Sequence, residues 1–507
     1  MSKVSRKNKF KPFYKEVGFY FILIYAILTI GFIAQMFMVN ILPMKYSVPI
    51  AVILGLLLLG MYFLQMGKHV SKINKILGRI LIVLLSVFLG LGNFYLFKTG
   101  SAFNRMTNDN TQTTVISVIV MKDNKAKNIS DLKNGTVGLM KTGDSDSLNK
   151  AVTEIKKDTD NTINVTEYKS YETIANELYD GKINAIILDE GTRGLFEDNH
   201  SKFNTETRVI KTYKYSKKTD DISKNVKVTD EAFNMYITGI DVYGGITTVS
   251  RSDVNMIATI NPKTHQILLT SIPRDFYVPQ PCQGNQKDKL THTGIFGVGC
   301  TVSSVENYFG IDLNYYARVN FSSVVSIVDA IGGIEVDNPI SFTDIDGIYS
   351  FPASSAGNLL PLKGEQALSF SRERQNLAGG DRDRGKNQMR VITGIVNKII
   401  SPSIITNYAS IMDAVGGSFQ TNMSNGEMTS LIKMQVNDMS GWDIEQIAVN
   451  GTGTDNTWSP ANGFNSYVMI PDDQTVKKAV ELINKVEKGE DVKPLVQQFE
   501  SQATANE

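Results

Sequence analysis

Three long apolar runs open the chain, and after them short apolar stretches alternate with polar ones to the end. The runs Val17 to Val39, Val48 to Met66 and Ile76 to Phe97 each approach the ~20 residues that a helix needs to cross the hydrocarbon core of a bilayer. Arg79 is their only charged side chain. Lys3, Arg6, Lys7, Lys9, Lys11 and Lys15 precede the first run, Lys68, Lys72 and Lys75 follow the second beside His69, and Lys45 alone lies between the first two. Basic flanks stay in the cytoplasm, so residues 1–16 are expected to be a cytoplasmic tail, and 17–97 three spans. Everything beyond Lys98 is expected on the outer side of the cell membrane. A cleaved signal peptide accounts for the first run less well, because the run is long, lacks a small-residue cleavage site and is followed by two more spans.

Past a polar linker, residues 98–114, the pattern becomes that of a mixed α/β protein. Strand-like runs at Val115 to Val120, Thr136 to Met140, Ile163 to Tyr168 and Ala185 to Leu188 alternate with helical spacing at Ser147 to Lys157 and Tyr171 to Tyr179. This predicts a small α/β accessory domain over 115–214. Its phrase Ile129 to Gly138 resembles half of a solute-binding lobe, whose loops hold small ligands at helix N-termini. A module that positions its neighbour or binds a partner is the plainer expectation. Residues 215–232 are polar and charged and read as a linker.

The larger part, 233–488, opens on a strand at Met235 to Asp241 and a glycine loop. A hairpin of Asn255 to Ile260 and Gln266 to Ile272 follows, turning at Asn261 to Thr264. Helical spacing in Thr301 to Phe309, Phe321 to Ile331, Gln388 to Ile400, Met428 to Met434 and Thr475 to Val486 interleaves with strands at Gly333 to Val336 and Ile444 to Val449. That interleaving predicts an α/β/α sandwich. The polar tail 489–507 is expected to be mobile. The fold class expected is thus α/β: three N-terminal transmembrane helices, a small accessory domain and a larger sandwich.

Composition narrows the chemistry. Lys+Arg number 52 and Asp+Glu 51, so the formal net charge of +1 offers no global field for nucleic acid or an acidic polymer, and ionic recognition must be local. The 2 cysteines, Cys282 and Cys300, fall on the side expected to be oxidising, where a disulfide and two buried thiols are both open readings.

Charge does cluster locally, at the ends of expected elements in 233–488. Asp241 ends one strand and Arg251, Ser252 and Asp253 lead into the next. Two carboxylates at adjacent strand ends can share Mg2+ or another divalent cation, which takes few protein oxygens and leaves positions for phosphate. Taken singly, either aspartate is most simply a turn cap. Arg274 and Asp275 follow Pro273 at the end of the hairpin. Arg372 and Arg374 alternate, and would point the same way in an extended segment. A glycine-bearing loop carrying Asp381 and Arg384 leads into a helix on which Gln388 shares a face with Arg384. Guanidinium groups grip phosphate oxygens two at a time, so several together imply a polyanion such as pyrophosphate. Each alone is most simply a surface ion pair worth ~0–1 kcal/mol. A Ser-His-Asp reading is poor, because only His265 and His292 lie in this part and neither has a motif around it.

These residues resemble the LytR-CpsA-Psr family of cell-wall proteins, and most closely its capsule-linked members from Gram-positive bacteria, the streptococcal type with three spans and an accessory domain. The carriers are Gly239 to Asp241, Arg251 to Asp253, Ile272 to Asp275, Val328 to Ile334, Gly364 to Arg374 and Asp381 to Gln388. Asn387 departs from the pattern, since many relatives carry a basic residue there. The resemblance implies a polyprenyl pyrophosphate-linked glycan held by its head group, with its tail in an apolar tunnel through the sandwich. It implies Mg2+ on Asp241 and Asp253, and the pyrophosphate on Arg251, Arg274, Arg372, Arg374 and Arg384. Asp275, Asp381 and Gln388 would orient these groups or the acceptor, with Arg274, Asp275 and Asp381 the catalytic candidates. The implied reaction transfers a glycopolymer, a capsular polysaccharide for the capsule-linked members, to a peptidoglycan hydroxyl, with lipid pyrophosphatase as a side activity of water. Other capsule-assembly proteins are implied partners, and nucleic acid is not expected. The competing function is a membrane-anchored regulator of capsule or wall genes that senses lipid-linked glycan outside.

Overall fold

The computed structural model describes residues 16–107, 110–196, 200–240, 245–355, 358–401 and 408–505. By internal contacts the chain divides into two compact units, one joining the chain up to Asn104 with Asn425–Met439 and the other holding Arg105–Ser424 with Ser440–Glu507.

The first unit is built on α1 (Val17–Val39), α2 (Met44–Met66) and α3 (Lys72–Thr107). All three are long and apolar enough to cross a membrane. They are apolar on every side, with Leu56, Ile80 and Phe88 among many exposed aliphatic and aromatic side chains, as a helix facing lipid must be. Ile22, Tyr25, Met61, Ile82 and Leu89 pack at their centre. Polar groups inside include paired ones: Arg79 Nε donates to Gln65 Oε1 at 3.2 Å, and Asn93 Nδ2 to the Leu28 carbonyl at 3.0 Å. α2 and α3 start earlier than the apolar runs, and α3 continues through most of the expected linker. A further helix, Asn425–Asp438, belongs to this unit, where Lys433 Nζ donates to Asn40 Oδ1 at 2.6 Å.

The second unit contains two sheets. β1 (Thr111–Met121), β2 (Thr136–Met140), β3 (Asn164–Tyr168), β4 (Ala185–Asp189) and β5 (Thr207–Lys218) form a sheet of order β3-β2-β4-β1-β5. It is parallel across β3, β2 and β4 and antiparallel around β1. α4 (Ser145–Asp158) covers one face and α5 (Tyr171–Tyr179) the other, each capped by the side chain the sequence places before it, Asp144 and Ser170. A 3-10 segment, Glu190–Leu195, follows β4, and a short α6 (Phe203–Glu206) precedes β5.

The large sheet uses β6 (Phe233–Ile240), β7 (Ser252–Asn261) and β8 (Gln266–Ser271) at its centre. The hairpin β9 (Tyr277–Gln280) and β10 (Gln286–Lys289) and a 3-10 segment, Leu290–Phe296, lead to α7 (Val298–Phe309) and β11 (Tyr315–Asn320). After α8 (Phe321–Ala330) come two minor pairs, β12 (Ile334–Val336) with β15 (Leu360–Leu362), and β13 (Phe342–Thr343) with β14 (Ser350–Phe351). Then follow α9 (Gly364–Arg372), α10 (Asp381–Ile399), α11 (Tyr408–Ser418), β16 (Phe419–Thr421), α12 (the Asn425–Asp438 helix of the first unit), β17 (Asp443–Ala448), β18 (Gly451–Ser459), β19 (Phe464–Pro471), α13 (Asp473–Glu487) and α14 (Lys493–Ala505).

The sheet order is β16-β11-β6-β7-β8-β17. One face packs on α7, α13 and α14 through Tyr236, Leu268, Val305, Ile483 and Phe499, and the other on α10 through Met256, Leu269 and Met389, beyond which α8 to α11 enclose Phe342, Phe351 and Phe370. This is the α/β/α sandwich expected, and the two sheets share a boundary, since Ile295 joins the core beneath α5.

Two expectations fail. The polar tail forms α14, whose Val496 and Phe499 are buried in the core; its few apolar residues recur at helical spacing, too sparse to stand out against the polar ones. Arg372 and Arg374 do not alternate along an extended segment, because α9 runs through Arg372 and only Arg374 lies in the following loop. The cysteines are bridged, Cys282 to Cys300, with Cα atoms 5.4 Å apart.

Candidate functional site

β7 and β8 are adjacent and antiparallel, so the start of one and the end of the other meet at the same edge. Asp253 stands at that start, preceded by Arg251. Beyond β8, Pro273 cannot continue the ladder, and the chain leaves it with Arg274 and Asp275. Arg274 Nη1 donates to Asp253 Oδ1 at 2.7 Å, and Arg274 Nε lies 3.8 Å from Asp275 Oδ2. The first turn of α10 approaches the same edge: Asp381 and Arg384 form an ion pair, and a Cβ on Gly385 would overlap the Ser271 hydroxyl at the end of β8. Glycine there lets the helix close on the sheet.

The electrostatics show which groups converge. Burial alone would raise Asp253, yet Arg274, Arg251 and Arg384 outweigh it and hold the carboxyl well below the usual range. Burial would weaken the hold of Arg274 on its proton, and Asp253, Asp275 and Asp381 more than restore it. Arg384 is pulled below its ordinary value by burial, with Arg274 and Arg374 nearby and Asp381 and Asp253 opposing them. Arg251, Arg274, Arg374, Arg384, Asp253, Asp275 and Asp381 therefore make one cluster. Arg372 stands differently: its guanidinium lies 4.3 Å from the centre of the Phe321 ring. Gln388 donates to the Ser371 carbonyl at 3.4 Å, which ties α10 to the end of α9. Asp241 lies outside the described residues.

Three polar atoms in the cluster are buried without a hydrogen-bond partner, Asp253 Oδ2, Arg274 Nε and Asp381 Oδ1, and of these Asp381 Oδ1 is the one ion-paired with Arg384. An unmet carboxylate oxygen and an unmet guanidinium N–H side by side are costly unless a ligand completes them. One suits a cation and the other an anion. Among the described residues no three His, Cys, Asp or Glu side chains form a metal cage. Mg2+ takes one or two carboxylates and fills its remaining positions with water and phosphate, so Asp253 fits as one ligand.

Several neighbours escaped sequence reasoning. Thr291 donates to Asp253 Oδ1 at 3.1 Å, and its backbone N–H donates to the Arg274 carbonyl at 2.8 Å. Arg318 on β11 is buried and donates to the Thr248 carbonyl, and burial pushes it down to about 10. Arg251 donates to the carbonyl of Gly194 at 3.4 Å, and a Cβ on Gly194 would overlap its guanidinium. Gly194 belongs to the small sheet's 3-10 segment, so the accessory fold reaches the cluster directly. Tyr467 on β19 is held above its ordinary value by burial, then by Asp275 and Asp381. Such contacts bring together residues far apart in the chain and carry no local motif. His292 sits 3.1 Å from Asp288, with both buried. Ser459 bonds to Asp288 and not to the imidazole, so the three lack the order of a nucleophilic triad.

The model of the LytR_cpsA_psr family matches residues 199–484. A second model, DNA polymerase processivity factor, matches residues 72–188, which join apolar α3 to the first four strands of the small sheet. A polyisoprenyl-teichoic acid–peptidoglycan teichoic acid transferase TagU of Enterococcus faecalis is 38% identical over 225 residues, covering 44% of this chain and 71% of that protein. The protein of the same name from Bacillus anthracis is 31% identical over 280 residues, 54% of this chain and 86% of the other. The crystal structure of B. subtilis TagU aligns over 50% of this chain and 96% of that one at 28% identity, with a TM-score of 0.39.

Proposed function

The chain belongs to the LytR-CpsA-Psr family, and on that premise we propose that it transfers a glycopolymer from a polyprenyl pyrophosphate carrier to a peptidoglycan hydroxyl. The observation that carries the reading is the buried, unmet pair of Asp253 Oδ2 and Arg274 Nε within a cluster of arginines, together with relatives named for the transfer of teichoic acid to peptidoglycan. In this reading Arg251, Arg274, Arg374 and Arg384 bind the pyrophosphate. Arg372, already stacked on Phe321, is a more distant contributor. The acceptor oxygen bonds to the glycan-side phosphorus, the bond to the bridging oxygen breaks, and polyprenyl phosphate leaves with the electron pair. Asp275 or Asp381 takes the hydroxyl proton. The fixed guanidinium groups stabilise the charge that develops on the leaving phosphate, the largest contribution that such a site supplies.

Asp253, with Asp241, would hold Mg2+, which when bound would neutralise phosphate charge. The polyprenyl chain would lie in the apolar layer between the large sheet and α8 to α11, near the exposed Ile340, Ile345, Ile348 and Leu359. The basic flanks of α1 and α2 support an outward-facing sandwich, as does a disulfide, which persists outside the reducing cytoplasm. Capsular polysaccharide is the polymer we favour, on the three spans and accessory domain beside the sandwich. Attack by water in place of the acceptor would give the pyrophosphatase side activity.

The test uses the full-length protein in detergent with lipid-linked glycan, wall glycan and Mg2+. Arg274→Ala and Asp253→Ala are each expected to cut transfer by about 10²-fold or more, as loss of a preorganised charge does, and chelation should do likewise. Undiminished transfer in either variant would sink the site assignment. Melting curves identify a variant that merely unfolds, for which Arg274→Lys is the substitute.

A further inference from the structure

β18 and β19 form a two-stranded ribbon that the apolar pattern did not announce, and it is fastened beside the charged cluster. The Met469 N–H donates to the carbonyl of Asp275 at 2.8 Å, and the Tyr277 hydroxyl to the carbonyl of Trp458 at 3.0 Å. At the ribbon's turn, the Ser459 hydroxyl and the Ala461 N–H both donate to buried Asp288. Its position therefore follows that of the turn between β8 and β9 that carries Arg274 and Asp275.

Opposed residues of an antiparallel pair share a face, and alternate residues return to it. Trp458 opposes Asn465, so Tyr467, two residues on, lies on the same face. Asn456 joins them, since Asn465 Nδ2 donates to its Oδ1 at 2.8 Å. Trp458 is 55% exposed and Tyr467 41%. Tyr467 lies across Gly453, where a Cβ would come within 2.8 Å of its hydroxyl. Ser466 and Val468 are buried on the opposite side.

This face has two flat rings and a pair of amides and none of the cations that a phosphate would need. Such a surface fits a pyranose strand: the rings cover the C–H faces of sugars and the amides pair with hydroxyl or acetamido groups. Diagonal neighbours on one face stand roughly 7–8 Å apart, so a single polysaccharide can touch Trp458 and Tyr467 together. A lipid surface is a poorer occupant, because it would ask for aliphatic side chains where the ribbon offers amides. The face is also continuous with the cluster, since Met469 on β19 bonds to the Asp275 carbonyl, and the upward push that burial gives Tyr467 is reinforced by Asp275, Asp381 and Asp455 and opposed by Arg374.

We propose that the ribbon face formed by Asn456, Trp458, Asn465 and Tyr467 is the acceptor subsite, holding a pyranose strand so that one hydroxyl reaches Asp275 and Asp381. The delivery of a hydroxyl rests on the transferase reading, whereas the binding of sugar does not. Asp275 is bonded to the ribbon through its carbonyl, and in this reading Asp275 and Asp381 serve the acceptor while the Asp253–Arg274 pair serves the donor.

The chain has 2 tryptophans, so in a Trp442→Phe background fluorescence reports on Trp458 alone. Full-length protein in detergent, titrated with a soluble β-1,4-linked N-acetylglucosamine hexamer, should show a saturable change. Tyr467→Ala and Asn465→Ala should each weaken binding about tenfold, equivalent to ~1.4 kcal/mol. In transfer assays Trp458→Ala should raise the KM for wall glycan at least as much with the donor KM unmoved, and Trp458→Phe should restore most of the loss. Equal binding of the hexamer by Trp458→Ala and the parent in titration calorimetry, no saturable binding by the parent, or displacement of the hexamer by phosphatidylcholine vesicles overturns the proposal. If the hexamer binds through Trp458 but no lipid-linked glycan is ever transferred, the transferase reading falls and the sugar face stands. If transfer proceeds with the acceptor KM of Trp458→Ala unchanged, the reverse holds.

Discussion

Asp253 gives one oxygen to Arg274 and Thr291 and keeps the other buried and unmet. Its folded carboxyl titrates well below the unfolded value, so its contribution to stability is present above the usual carboxylate range and is lost as pH falls below that range toward the folded value. The arginines are fixed as tightly by backbone as by charge. Gly194 leaves room for the Arg251 guanidinium that a methyl group would occupy. Gly194→Ala is therefore expected to displace Arg251 and raise the donor KM several-fold with little change in melting temperature. Arg251→Ala should produce the same effect, and the double variant should be no worse than either, since coupled residues do not add. Additive losses in a double-mutant cycle would show that Gly194 acts elsewhere. The aspartates and arginines were legible in sequence because they sit in short motifs at element ends. Gly194, Thr291 and Tyr467 were not, since nothing local marks a residue whose partner is far along the chain.

Among the elements, the small sheet holds its own titratable group at the C-terminal end of β4. Asp189 is buried and pushed up to about 6 by that burial, although the backbone N–H groups of Gly191 and Asp144 both donate to it. A folded pKa above the unfolded one means full stability below the unfolded value and a loss as pH rises through about 6. The loss is roughly 3 kcal/mol, at 1.36 kcal/mol per unit. Hydrogen exchange of the β4 amides, corrected for intrinsic rate, should show protection falling between about pH 4 and pH 6 relative to the large sheet; protection that rises or stays level would contradict it. The helices and long strands were readable because burial on one face imposes a period. The ribbon of β18 and β19 was missed because exposed faces on both strands blur the alternation, and α14 because its buried residues are few. Whether Arg372 and Arg374 share a direction was not decided by the sequence, because alternation along a segment does not show whether a helix runs through part of it.

At the scale of the whole molecule, orientation is the open quantity with a direct check. Protease added outside intact protoplasts should remove the region beyond Thr107 while leaving α1 to α3 in the membrane. Protection of that region until lysis would invert the topology and remove the substrate from reach. Deleting Ser2 to Lys11 separates transferase from regulator, since wall attachment should persist while gene control, if present, should fail. The sequence by itself determined the three apolar helices, the α/β character of the chain beyond them and the identity of the charged motifs, because membrane length, hydrophobic period and local residue type are properties of neighbours in the chain. Only the tertiary structure decided which arginines share one site, that Cys282 and Cys300 meet, that the small sheet reaches Arg251 and that a ribbon of aromatics adjoins the carboxylates. These depend on contacts between segments tens to hundreds of residues apart, and their energies are settled by burial and partner geometry that no local pattern encodes.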